Sequence, residues 1–353
     1  MDSEVFTNIE QITPEWLTNC LRQRGMLPSG QVVTISGLQE KTVLSVVGRM
    51  DVKYSQDAPS TAPKSLFLKT GVSEDAENED WIGEVSFYKT IASSIPSVTV
   101  PCYDAAYAAN PARFHILLDD FTSSHQRIKW PLPATEDQYL QIIDCLSDLH
   151  SAWWNHPRLG VDIQTRFTET KLDNWISVWE QQLAHFYDEL GDRLLPRRKK
   201  LYEMVLHPLL ARLLERRKSQ MHYTIAHQDA HPYNFLFPNN TLNHTTCLVD
   251  WATWDIEVGA RDLAYLIALH CFPEQRLSIE RPLLQHYHNR LLENGVADYS
   301  WEQLWEDYRL FVAWNLFVPV EQCFWKLPPS IWWLHAERST LAFDDLQCME
   351  LFR

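Results

Sequence analysis

Glycine is scarce, with 10 residues in a chain of 353, which argues against a glycine-rich or disordered architecture. No Cys-x-x-Cys pair occurs. The seven cysteines (Cys20, Cys102, Cys145, Cys247, Cys271, Cys323 and Cys348) are scattered and odd in number, so neither a disulfide framework nor a cysteine-type zinc site is expected. No apolar run reaches the roughly 18–20 residues that a membrane span needs. The N-terminus, MDSEVFTNIE, is acidic and lacks the apolar stretch of a signal peptide. The chain therefore reads as cytoplasmic, and the sequons at Asn239 and Asn243 carry no weight. Positive charge is also in deficit. Lys and Arg number 31 against 46 Asp and Glu, a formal charge of −15, which disfavours nucleic acid or an anionic membrane as partner. The basic run RRKK at 197–200 reads as a solvated helix face. No internal repeat, low-complexity segment or long linker stands out.

What is present is a normal apolar content of 45% and a high aromatic content of 12%. A chain of this length exceeds one typical core, so two lobes are expected. Thr13 and Pro14 open a helix that Gly25 closes. Three β-branched or apolar runs follow, in QVVTISGL, TVLSVVGRMDVKY and SLFLKTG. The acidic stretch SEDAENED leads into WIGEVSFYKTIASSI, where Trp81, Val85 and Tyr88 have helical spacing. Strand patterns resume in VTVPCYDAAYA and RFHILLDDF. Beyond residue 121 the 3–4 spacing of helices dominates, interrupted at 223–250 by the short strands YTIAH, NFLF and TCLVD. The fold class expected is α+β, with a small antiparallel-sheet lobe over residues 1–121 and a larger, mainly helical lobe over 122–353.

Residues 227–234, HQDAHPYN, have the spacing H-x-D-x-x-x-x-N, and Asp250 ends the apolar run CLVD. Phosphoryl transfer from ATP asks little of a protein. One carboxylate orients the attacking hydroxyl and takes its proton, an oxygen ligand and a second carboxylate hold magnesium, a lysine neutralises phosphate charge, and an acid fixes that lysine. Asp229, Asn234 and Asp250 match the first three roles in order and spacing. The pattern then demands an upstream strand lysine and helix glutamate. Lys69 ends SLFLK, and Glu84 lies fifteen residues on in the helix. Taken alone, Glu84 would be a solvated helix charge; its case rests on Lys69. The strand-turn-strand GLQEKTVLSVVGRM precedes both but lacks G-x-G-x-x-G, having Gly37 and Gly48 with Lys41, Thr42 and Ser45 between them.

The segments FLK, GEVSFY, ILLDDF, HQDAHPYN and LVDWATWDIEVGARDLAYL, spread over about residues 37–270, resemble the aminoglycoside phosphotransferase and choline kinase-like superfamily. That resemblance implies a protein kinase-like two-lobe fold. It implies Asp229 as catalytic base, Asn234 and Asp250 as ligands of Mg2+, Lys69 on the α- and β-phosphates of ATP, and Glu84 paired with Lys69. Backbone groups near Asp119 and Phe121 would meet adenine at a hinge. The chain departs from the family's H-G-D-L at Gln228 and Ala230. His227 is expected to brace the loop, and Asp262 in RDLAYL to bond loop backbone. His231 is as readily structural as substrate-facing.

Three alternatives stay open at this stage. His227, Asp229 and His231 would share one face if they lay on a strand, and could then ligate zinc in a hydrolase. The chain could be a pseudokinase that binds nucleotide without catalysis, or a protein kinase. For the small-molecule acceptor, the C-terminal region offers Trp301, Trp305 and Tyr308 on one helix face, with Phe311, Trp314, Phe317, Phe324, Trp325, Trp332 and Trp333 nearby in sequence. Core packing is the plain reading of each. The sharper reading is an aromatic pocket for an apolar or cationic alcohol, aided by Glu302, Glu306, Asp307 and Glu321. An amino alcohol, an aminoglycoside, a macrolide or a steroid-like alcohol would all suit.

Overall fold

The computed structural model describes residues 4–41, 45–73, 79–166, 169–240 and 245–353. Its elements run α1 (Pro14–Gln23), β1 (Val32–Lys41), β2 (Val46–Tyr54), β3 (Ser65–Ser73), α2 (Glu79–Thr90), β4 (Cys102–Ala109), β5 (Ala112–Asp119) and β6 (His125–Gln126). There follow α3 (Glu136–Ala152), α4 (Glu169–Leu190), α5 (Pro196–Lys218), β7 (Thr224–Ala226), β8 (Phe235–Pro238), β9 (Cys247–Leu248) and β10 (Asp255–Glu257). The chain ends with α6 (Ala260–Ala264), a π-helical turn (Tyr265–Leu269), α7 (Pro273–Glu293), α8 (Trp301–Trp314), α9 (Val318–Phe324) and α10 (Pro329–Asp345). The chain divides into two compact units. One comprises Met1–Arg127 with Leu236–Trp254, the other Ile128–Phe235 with Asp255–Arg353.

The first unit is built on an antiparallel five-stranded sheet in the order β1-β2-β3-β5-β4. Helix α1 starts where Thr13 accepts the Trp16 N–H at 3.1 Å, with Pro14 at its first position. It buries Leu17, Cys20 and Leu21 in a core shared with Met50, Leu66 and Leu68. Because strand side chains alternate, burying Leu66 and Leu68 puts Lys69 on the other face of β3, in register between Val47 and Ile116. Gly37 permits the tight pairing of β1 with β2, since a Cβ there would lie 2.2 Å from the Arg49 carbonyl oxygen. Helix α2 buries Val85, Phe87 and Tyr88, and Ile91 just beyond its end is buried too. Phe87 stacks on Trp251 with centroids 3.7 Å apart, and the Trp254 indole donates to the Gly83 carbonyl at 2.8 Å. These two tryptophans fasten the segment carrying Asp250 to α2. Strands β6, β8 and β9 form a small separate sheet.

The second unit is mainly helical. Capping boxes start α3, at Thr135 and Gln138, and α8, at Ser300 and Gln303. The hairpin-like pair β7 and β10 is antiparallel, with Ile225 opposite Ile256. Gly259 admits α6 against His150 and Tyr287, because a Cβ there would come within 2.4 Å of the Tyr287 hydroxyl. Among the described residues, no helix is long and apolar enough to cross a membrane. The α+β class and the antiparallel sheet followed by a helical region are as expected from the sequence. Strands β6 and β10 are additions, too short to carry a periodic signal.

Candidate active site

In the first unit, three of the residues singled out by sequence meet. Lys69 Nζ lies 2.7 Å from Glu84 Oε2, 3.0 Å from Oε1 and 2.8 Å from Asp250 Oδ1. Glu84 is 2% exposed, so its carboxylate has left water and needs the cation. Burial drives the Glu84 carboxyl upward, and the Lys69 ammonium opposes this without cancelling it. Burial of Lys69 favours its neutral form, but Glu84 and Asp250 outweigh that and hold its pKa above the ordinary value. Lys69 is thus a fixed cation. The Asp250 side chain is 49% exposed, and its backbone is left-handed at φ 71°. That conformation, one that aspartate tolerates better than most side chains, turns the chain after β9.

In the second unit, Asp229 and Asn234 meet. Asn234 Nδ2 donates to the Asp229 carbonyl at 3.0 Å and to its Oδ2 at 3.2 Å. Tyr265 Oη donates to Asp229 Oδ1 at 2.8 Å. The loop beneath is pinned by Asp262, whose carboxylate accepts the backbone N–H of His227 and of Gln228, each at 2.7 Å, and faces His150 Nε2 at 3.2 Å. Although burial works against the charge, His150, His227 and the loop N–H groups keep the Asp262 carboxyl below its ordinary value. His227 Nδ1 accepts the Asp229 N–H at 3.3 Å, the bracing expected of it. His231 Nε2 stands 3.6 Å from Asp229 Oδ2, and its ring faces His270, which in turn faces His335.

The zinc alternative required residues 227–231 to be a strand. Strand β7 ends at Ala226, and Gln228 has a left-handed φ of 67°, so the alternation that would align His227, Asp229 and His231 is broken. Among the described residues, no group of three or more His, Cys, Asp or Glu could hold a metal ion. Gln228 fills the position where the related motif has glycine, and its backbone takes a conformation suited to glycine.

At the end of β5, the Asp119 N–H is bound to the Pro101 carbonyl at 2.9 Å, and the Phe121 carbonyl accepts the N–H groups of Ser124 and His125. Phe121 stacks on the His125 ring, with centroids 4.5 Å apart. Of the phosphate-loop residues, Thr42 lies outside the described residues.

The aromatic ladder is present but already covered. Trp301, Trp305 and Tyr308 stack in sequence along α8. The Arg281 guanidinium sits over both tryptophans, 5.6 and 5.7 Å from their centroids. Arg261 sits 4.7 Å from the Trp314 centroid. Glu306 pairs with Arg212 and Asp307 with Arg216, while Glu321 accepts the Trp179 indole N–H at 3.1 Å. Tyr308, Phe311 and Phe317 are core residues. The sharper reading of this ladder is therefore replaced by the plain one: its cation is the chain's own arginine.

Residues 155–296 match the model of the ecdysteroid kinase-like family. The matched segment holds Asp229, Asn234, Asp250, Asp262 and Tyr265, but not Lys69 or Glu84. No curated protein matches the chain in sequence. Among solved structures, a Ralstonia eutropha protein provisionally assigned as an aminoglycoside phosphotransferase aligns over 96% of this chain and 98% of its own, at 12% identity and TM-score 0.56. APH(2″)-IIIa, in complex with GDP and kanamycin, aligns over 93% and 98%, at 10% identity and TM-score 0.54. The apoenzyme of macrolide 2′-phosphotransferase MphH from Brachybacterium faecium aligns over 93% and 97%, at 15% identity and TM-score 0.50. The fold is that of the aminoglycoside phosphotransferases. The fold implied by the sequence resemblance is thus borne out over nearly the whole chain. Tyr265 and His150 are the site residues that the sequence reading passed over. RDLAYL did contain a signal for Tyr265, three positions after Asp262 and hence on the same helix face.

Proposed function

We propose that the chain transfers the γ-phosphate of ATP to a hydroxyl of a small organic molecule. The observation that carries this reading is the Lys69 ammonium held between a buried glutamate and Asp250, residues that the kinase pattern requires and that are 181 positions apart at the extremes. In this reading Lys69 neutralises phosphate charge and Glu84 fixes Lys69. Asp229 orients the acceptor hydroxyl and takes its proton, which leaves late in a loose transition state. Backbone groups near Asp119 and Phe121 receive the base.

Asn234 and Asp250 are the residues that would hold magnesium. Their chemistry fits it: with its Nδ2 committed to Asp229, Asn234 keeps an amide oxygen, and Asp250 presents a half-exposed carboxylate. A hard cation that takes one or two protein oxygens plus substrate phosphates matches such a set. When bound, magnesium supplies charge neutralisation on the phosphate oxygens.

For the acceptor, the arginines lying over Trp301, Trp305 and Trp314 favour an uncharged, apolar alcohol over a cationic one, since the faces that would attract an ammonium group are covered. The ecdysteroid kinase-like match supports the same direction. A nucleic-acid or membrane partner finds no support in the charge of −15, and a cytoplasmic setting suits an ATP-consuming enzyme. The test is an ATP- and GTP-consumption screen over sterols, macrolides, amino sugars and amino alcohols, with and without magnesium. Phosphorylation of a neutral alcohol is expected. Nucleotide binding without transfer to any acceptor would favour the pseudokinase, and no nucleotide binding at all would refute both.

A further inference from the structure

We propose that Tyr265 is a positioning residue for the Asp229 carboxylate, set in place by the junction of α6 with the π-helical turn. The inference rests on the reading of Asp229 as the base and concerns a residue that no catalytic pattern required.

Two carboxylate oxygens must be oriented for one of them to meet an acceptor hydroxyl. Asn234 Nδ2 fixes Oδ2 at 3.2 Å, and Tyr265 Oη fixes Oδ1 at 2.8 Å. Burial first, and the Asp229 charge second, hold the Tyr265 phenol well above its ordinary pKa, so it remains a donor. Asp262 and Tyr265 are three residues apart and share a helix face. Asp262 takes the backbone of His227 and Gln228, while Tyr265 takes the side chain of the next residue. One helix face therefore grips three consecutive loop residues.

The backbone at Tyr265 is unusual in its own right. The π-helical turn begins there, in a segment, ARDLAYLIALH, without glycine or proline. π-turns cost hydrogen-bond geometry and persist where the surroundings enforce them, frequently at functional sites. Here the enforcement is visible. Leu266, Ile267, Ala268 and Leu269 are fully buried, and buried Asn315 donates its Nδ2 to the Ala264 carbonyl at 2.9 Å, at the start of the turn. A phenol needed merely to fill space would not require such a backbone.

The experiment is a double-mutant cycle with Tyr265→Phe and Asp229→Ala, read both by turnover and by urea unfolding. Tyr265→Phe is expected to lower kcat by about tenfold to a hundredfold, the worth of one hydrogen bond to a charged group. KM for ATP should change by less than about twofold, and in the Asp229→Ala background the loss should vanish. A kcat that is unchanged, or that falls equally in both backgrounds, would overturn the proposal. A wild-type chain that phosphorylates nothing would refute the kinase reading alone. The unfolding midpoints then decide whether Tyr265 engages Asp229: additive midpoints overturn the proposal, and non-additive midpoints support the placement on which it stands.

Discussion

The Asp262 carboxylate holds Gln228 by its backbone N–H at 2.7 Å, and Gln228 is the left-handed residue from which the Asp229 loop turns. The same carboxylate takes the N–H of His227 and is completely buried. Asp262→Asn offers one oxygen where two are needed and adds donors facing donors. It should destabilise the chain by about 2–4 kcal/mol, as expected when a buried charged acceptor is lost. Because the carboxyl is held below its ordinary value, its contribution is complete above about pH 4 and fades as pH falls through the lower folded value. Urea unfolding of both proteins at neutral pH and in acid checks this, with the difference narrowing in acid.

A second expectation concerns Lys69. Lys69→Met strands the carboxylate of Glu84, which is 2% exposed. A loss of stability of about 2–4 kcal/mol should follow, together with loss of turnover. Adding Glu84→Gln removes the stranded charge, and should restore most of the stability and none of the turnover. Recovery of both would mean that the pair serves folding alone.

Burial, reinforced by Arg338 and His231, lowers the pKa of His335 to about 3, and His270 is likewise depressed by burial and by its neighbouring histidines and Arg338. The His335 imidazole is neutral in the folded chain at pH 5, whereas in the unfolded chain it takes a proton below about pH 6.5. Stability present above that value should therefore fall as pH drops toward 3, by about 1.4 kcal/mol per pH unit for His335 in the steep part of the window, with His270 acting in the same direction. His335→Asn should flatten the slope. An unchanged slope in unfolding experiments between pH 6.5 and 4 would contradict the assignment.

Arg281 supplies a test of the aromatic ladder. Arg281→Ala uncovers the faces of Trp301 and Trp305, and should cost about 0.5–1 kcal/mol of stability while leaving KM for the acceptor unchanged. A marked change in acceptor KM would return the ladder to the binding site.

Much of this was legible in the sequence, for identifiable reasons. Lys69 and Glu84 could be paired because the kinase pattern asks for a lysine on a strand and then a glutamate on the next helix, and both elements were readable locally. The loop from Asp229 to Asn234 could be placed because its spacing is short and local. The direct contact of Lys69 with Asp250 could not, since nothing local encodes a bond across 181 positions. The bond from Tyr265 to Asp229, 36 positions away, was hidden for the same reason, although the spacing of Tyr265 from Asp262 placed both on one helix face. The arginines over the tryptophans were equally invisible. Aromatic spacing along α8 was correct, but what lay on those rings depended on α7 and α6. Strands β6 and β10, at two and three residues, are shorter than any pattern.

The central claim is that Asp229 acts as the base of a phosphotransferase, and the most direct measurement is phosphoryl transfer by wild type and Asp229→Asn on one preparation, with ATP affinity and melting temperature. The substitution keeps size and hydrogen bonding but cannot accept a proton. The account predicts a folded variant whose ATP affinity changes by less than about threefold while turnover falls about 10²–10⁴-fold, the usual worth of a general base. A folded Asp229→Asn variant that turns over at near the wild-type rate would contradict it.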